Sequence, residues 1–410
     1  MAGLACATWL HRAGRPVVVV EAADAVGGRV RTDVTADGFR LDRGFQVLLT
    51  DYPEARRIFD YGALRLRAFR SGAVIRLADG RQTTLQNPLQ RPLAAFSALG
   101  SPIGSLADKL RILRYVADVQ GQTPEQLLQQ PAPGPTLEFL RRYGWSEQII
   151  DSFFRPFFGG VFLDRELTTA SNFFGFVFQQ FVRGEAAVPA LGMQELPAQL
   201  AARLPVGAVR LNTAAVSVEG HEVRLATGET ITAAAVVLAT DGSVLAQLVP
   251  GLALPEGGRL LGARRTTCTY FAADGPSPGR ADQLLRLNAT RGALAHNVAF
   301  PADVSSFYAP TGRALVSVST HGAHGLGEAD LTTRLRTELL PWFGPQVRQW
   351  EHLRTYHIAN ALPEYVPGEP VQRPLRLAEG LYRCGDWATY PSLNGALATG
   401  RQVAEMLLAR

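Results

Sequence analysis

Residues 17–32, VVVVEAADAVGGRVRT, decide the fold. Four consecutive valines read as a strand buried on both faces, of the kind found inside a parallel sheet. The run ends in Glu21, an acid at the carboxyl end of that strand. In a dinucleotide-binding unit an acid at this position accepts hydrogen bonds from the adenosine ribose hydroxyls. Shortly after it, Gly27-Gly28-Arg29 sets two permissive backbones beside a guanidinium suited to a pyrophosphate. An ordinary strand and turn with a surface acid would look similar, but matching motifs recur far down the chain.

The strongest of these is LYRCGDWATYPSLNGALATGRQVAEMLLA, residues 381–409. A short strand, Leu381–Cys384, leads into Gly385-Asp386, and Ser392-Leu393-Asn394-Gly395-Ala396 then opens a helix. A helix N-terminus offers free N–H groups and a partial positive charge to an anion. Acid, glycine pair and arginine at one end, with Gly-Asp and a small-residue helix start at the other, resemble the flavoprotein oxidoreductases. That superfamily includes amine oxidases, protoporphyrinogen oxidases and phytoene desaturases, and the phytoene desaturase-like members are the most similar.

The resemblance implies an α/β fold: a Rossmann-like FAD-binding domain with an interleaved α+β substrate domain. It places the FAD-binding domain at 1–50, 190–260 and 360–410, and the substrate domain at 51–189 and 261–359. It implies FAD held by Gly3, Glu21, Gly27, Gly28, Arg29, Gly44, Phe45, Val216, Ala239, Thr240, Gly385, Asp386, Ser392, Leu393, Asn394 and Ala396. Asp386 would take the ribityl hydroxyls, and Val216 lies where the family holds the adenine. Cys384 does not match a flavin attachment point, so the FAD is expected to be non-covalent.

The opening of the motif is only partly present. Met1-Ala2-Gly3-Leu4-Ala5-Cys6 reads as the end of strand, G-x-G-x-x-G, helix, with Gly3 as the third glycine and a helix over 4–13 capped by Gly14. The first strand and two glycines are missing from this reading, so Met1 is expected to mark a late start or a truncated chain. Without that strand the valine run should keep an unpaired edge, and FAD binding and solubility should suffer. A signal peptide does not fit, because the stretch lacks a basic n-region.

Composition suits a large folded enzyme. The 410 residues are 47% hydrophobic and 19% charged. No apolar run is long enough to span a membrane. Cys6, Cys268 and Cys384 are scattered and show no metal spacing, which suggests a reducing, cytoplasmic setting, with membrane association left open. The net charge of +5 comes almost wholly from arginine, without a basic run, so no nucleic-acid partner is indicated. The oligomeric state is not legible.

Residues 51–180 read mainly as helix, with breaks at 86–104 and 131–135. A β-rich stretch covers 206–240, with turns at Gly220-His221 and Gly228-Glu229. Strand-like runs between 264 and 358, interrupted by a helix at 328–341, read as the substrate-domain sheet. His321 and His324, in THGAHG, read as a solvated loop. In flavin amine oxidases a lysine from that sheet is bridged by water to the flavin. Here the only lysine is Lys109, in a helical segment. Residues 153–182 contain ten phenylalanines. They read either as packed core or, with Phe173, Phe174, Phe176, Trp387 and Tyr390 as lining, as the wall of a lipophilic substrate site. Arg155 and Arg165 could anchor an acidic tail or serve as surface ion-pair partners.

The expected activity is removal of hydride from a lipophilic molecule, with oxygen or a quinone as acceptor. A flavin amine oxidase acting on a bulky amine and a non-catalytic flavin-binding scaffold are the alternatives, and no acid or base stands out as catalytic. Because Glu21 would repel a 2′-phosphate, purified protein should carry FAD and bind NADP weakly; NADP bound in place of flavin would overturn the assignment.

Overall fold

A computed structural model describes residues 1–86, 101–132, 134–252 and 262–409. The expected break at 86–104 lies largely outside them.

Helix α1 (Ala2–Arg12) leads through Gly14 into β1 (Val19–Val20). β2 (Thr32–Val34) and β3 (Arg40–Asp42) form a hairpin. β4 (Gly72–Arg76) and β5 (Gln82–Gln86) form a second, turning at Asp79-Gly80. The helical stretch contains α2 (Leu106–Gln120), α3 (Thr136–Tyr143), α4 (Arg155–Val161) and α5 (Ser171–Arg183). α2 starts on a capping box, with Ser105 and Asp108 exchanging hydrogen bonds. β6 (Val209–Arg210) is followed by the antiparallel meander β7 (Ala215–Glu219), β8 (Glu222–Leu225) and β9 (Thr230–Thr232), and then by β10 (Val236–Leu238). β11 (Ala263–Asp274), β12 (Leu285–Asn288), β13 (Asn297–Ala299) and β14 (Arg313–His321) precede α6 (Glu328–Phe343). β15 (Glu351–Pro363), β16 (Arg376–Ala378), β17 (Leu381–Arg383) and α7 (Leu393–Leu408) complete the chain.

The large sheet has seven strands in the order β15-β11-β14-β13-β12-β4-β5. All its pairs are antiparallel except β12 with β4. The hairpin at 72–86 thus extends the substrate sheet, which a mainly helical reading of 51–180 did not anticipate. One face of this sheet turns Cys268, Tyr270 and Leu315 toward the main core, while Phe271, Val316 and Val318 pack under α6. This division follows from the two-residue period of a strand.

The valine run differs from its reading as a fully buried strand. Only Val19 and Val20 are strand, paired in parallel with Val209 and Arg210 along one edge, and Val18 is 57% exposed. With a neighbour on one side only, the run stays half-buried. β10 and β17 pair in parallel as a separate small sheet.

α1 knits these pieces together. A Cβ on Gly3 would lie 2.8 Å from the Ala239 Cβ, and one on Gly400 would lie 2.4 Å from the Ala2 carbonyl. The helix therefore meets both the end of β10 and the middle of α7 at backbone contact. Gly400→Ala should force these helices apart at a cost of about 1–3 kcal/mol, read as a lowered unfolding midpoint.

Candidate functional site

The two sequence motifs meet across the fold. Arg29 Nη2 lies 2.6 Å from Asp386 Oδ1, and Nη1 donates to the Ala361 carbonyl at 2.8 Å. Glu21, directly after β1, accepts from the Ala23 amide at 2.9 Å. The Met1 amine is buried near Cys384, Arg29, Asp386 and Glu21, and burial pushes its pKa down. Glu21, Arg29 and Asp386 thus converge around one buried point.

Gly27 has φ +119°, where an added Cβ would meet the Val30 carbonyl at 2.2 Å. A Cβ on Gly28 would meet nothing within 4 Å, which leaves its backbone open to an approaching group. Gly44 follows the Asp42-Arg43-Gly44 turn at φ +104°, its backbone against Ile358 of β15. Phe45 packs edge-on against Phe69.

At the other end, Ser392 caps α7 by accepting from the Gly395 amide at 2.9 Å. Asn394 has a bridging role: its Oδ1 accepts from the Glu54 amide and its Nδ2 donates to the Tyr390 hydroxyl. Leu393 packs against the main core, and Ala396 packs near Cys384. The Gly385 amide donates to Thr399 Oγ1 at 3.0 Å. Ala239 and Thr240 follow β10, while Val216 on β7 is half-exposed. Buried Cys384 lies in the cluster with Ala2 and Cys6.

These residues suit a dinucleotide flavin: an acid after β1, an open Gly28 backbone, a guanidinium, a buried carboxylate and a capped helix start gathered in one cleft. Residues 1–408 match the family described as flavin containing amine oxidoreductase. The chain belongs to that family. It is an FAD-dependent oxidoreductase, and FAD, when bound, supplies the hydride acceptor.

Solved structures agree in fold. An oxidoreductase from Methanosarcina mazei aligns at TM-score 0.76 and 16% identity, covering 99% of this chain and 98% of that one. Putrescine oxidase bound to putrescine aligns at TM-score 0.74 and 18% identity, covering 100% and 97%. A protein assigned as a protoporphyrinogen oxidase, from Exiguobacterium sp. 255-15, aligns at TM-score 0.72 and 18% identity, also covering 100% and 97%. No curated protein sequence matches the chain.

The five residues read as substrate lining separate into three places in this flavoenzyme. Phe173 and Phe176, three apart on α5, face Tyr390 at ring distances of 6.0 and 5.2 Å, with Tyr365 and Tyr52 beside them. Phe174 faces away, among Tyr115, Phe139, Phe154 and Phe158 in the core. Trp387 lies on the nucleotide side, donating to the Thr240 carbonyl and packed with Val236 and Leu245.

His321 also departs from its reading as part of a solvated loop. It ends β14, and its ring lies 4.1 Å from that of His296. Burial lowers its pKa to about 3 and holds His296 well below the ordinary value as well. Among the described residues no group of three potential ligands could hold a metal.

Asp42, which the sequence did not single out beyond its turn, is fully enclosed. It accepts from Thr32 Oγ1, the Met193 amide and the Tyr308 hydroxyl, while Tyr270 donates to its backbone carbonyl. Burial pushes its pKa up to about 6 from 3.8. Between these values the folded protein keeps a proton that the unfolded chain has released, so stability falls as pH rises through this window. The loss amounts to about 3 kcal/mol. Asp42→Asn should flatten this part of the stability–pH curve relative to wild type, as measured by urea midpoints at pH 4.5 and 6.5.

Proposed function

We propose that this FAD-dependent oxidoreductase dehydrogenates a lipophilic substrate, in the manner of phytoene desaturases and protoporphyrinogen oxidases, and passes the electrons to oxygen or a quinone. The observation that carries this reading is the absence of an ammonium on the substrate sheet. Lys109, the only lysine, lies in α2 and donates to the Ser101 carbonyl. The face of β11 that turns inward toward the core carries Cys268 and Tyr270 instead.

The aromatic group of Phe173, Phe176, Tyr365 and Tyr390 supports the same reading, since its tilted, buried rings form an apolar cluster beside the start of α7. The protein's own part is then to orient a C–H bond and exclude water. Anaerobic mixing of the flavin-loaded enzyme with carotenes, porphyrinogens and amines tests this. Flavin bleaching by a lipophilic polyene or tetrapyrrole is expected, with primary amines reacting slowly or not at all. Rapid peroxide release with common mono- or polyamines would overturn it.

A further inference from the structure

Arg155 and Arg165 flank the same aromatic motif but have different partners. Arg155 is neutralised by Asp151 at 2.9 Å and Glu166 at 3.1 Å. Among the described residues no carboxylate lies within ion-pair distance of Arg165. Its Nε donates to His296 Nδ1 at 2.8 Å, and its terminal nitrogens donate to the carbonyls of Ala293 and Ala295. A guanidinium has five donors, so two N–H groups remain on a half-buried cation.

The bond from Arg165 makes His296 Nδ1 an acceptor, which puts the ring proton on Nε2. That buried N–H makes no hydrogen bond of normal geometry, and the backbone carbonyl of Pro156 is the acceptor beside the ring. A Cβ on Gly160 would lie 3.0 Å from this nitrogen, so the Gly159-Gly160 backbone of α4 leaves its surroundings uncovered. His321 Nε2 and Asn297 Oδ1 are likewise buried and unpartnered. Two adjoining cavities of about 420 and 80 Å³ share Arg165 and Gly292, and His321 and His296 line one each. Arg334 stands at the rim of the larger one. Glu338 also lines the larger cavity and its charge acts on Arg165, but Arg334 keeps the balance of the lining positive; the Glu338 oxygens accept from Asn288 Nδ2 and the amides of Leu294 and Ala295.

The position of this site relates it to the flavin cleft. His321 pairs with Thr266, and Thr266 pairs on its other side with Ile358, the residue against Gly44. Two strand spacings, on the order of 10 Å, therefore separate His321 from Ile358, whose side chain reaches the Gly44 turn.

We infer that Arg165 and the Nε2–H of His296 bind the carboxylate of an otherwise apolar substrate at the flavin end of the large sheet. Two unused guanidinium N–H groups, with an imidazole N–H held only loosely by the Pro156 carbonyl, form a donor set that a carboxylate satisfies. The inference rests on the proposed dehydrogenation of a lipophilic molecule and narrows it to a lipophilic acid.

Calorimetric titration of the flavin-loaded protein with octanoate and with octanamide, which differ in charge at matched shape, tests the site without turnover. Octanoate should bind at least tenfold tighter. Arg165→Met should bring the two within about twofold. So should Ala293→Glu, a change on an accessible turn that sets a tethered carboxylate beside Arg165 and leaves its packing in place. Equal binding of the two probes to wild type, or an octanoate preference that survives both variants, would overturn the inference. Either result would leave the dehydrogenation reading standing, since flavin bleaching tests that separately.

Discussion

The nucleotide side of the molecule depends on how closely α1 can lie against its neighbours. Gly3 admits the end of β10, and Gly400 admits the start of α1, both at distances that a side chain would not allow. Dispersion between packed backbones falls away within a fraction of an ångström, so this contact cannot be loosened gradually. Its closeness brings Ala239, Gly385 and Asp386 to the same cleft as Glu21 and Arg29. The Arg29–Asp386 pair then closes the cleft. Asp386 is buried, whereas the Arg29 side chain stays 37% exposed, so solvent screens part of the pair's attraction.

A second constraint couples this cleft to the large sheet. Asp42 ends β3 two residues before Gly44, and Tyr270 of β11 and Tyr308 both donate to it. Tyr356 on β15 donates to Asp33 of β2 in the same way. The turn that presents Gly44 is therefore referenced to strands of the substrate sheet by side-chain oxygens. A shift of the sheet by one register position would move Ile358 off Gly44 and break these bonds together.

Much of this was legible before any coordinates. Alternation marked the meander at 215–232 and the long strands of the large sheet, because each has one buried face. The end motifs were legible as chemistry, since acid, glycine pair and guanidinium have few other reasons to cluster. The hairpin at 72–86 was missed because its apolar residues are few and its neighbours carry helical spacing; its Asp-Gly turn was the available signal. THGAHG suggested a loop through its glycines, yet the alternation of ALVSVST runs on through His321. The Arg165–His296 contact joins residues 131 positions apart, and no local pattern encodes it. The valine run shows the opposite limit: hydrophobicity announces burial, but the number of paired edges decides how much of it is realised.

The Arg29–Asp386 contact spans 357 positions, and this separation bears on how the enzyme comes into being. Contacts so distant carry a large loop-closure penalty and slow the search for the native state. During synthesis α1 leaves the ribosome long before α7. The apolar face that Leu4, Ala5 and Cys6 present must therefore wait for its cover until α7 follows. An intermediate with that face open is the form in which this chain is most exposed to aggregation and to chaperones. The Arg29–Asp386 pair, drawn from distant parts of the chain, forms only once both have been made.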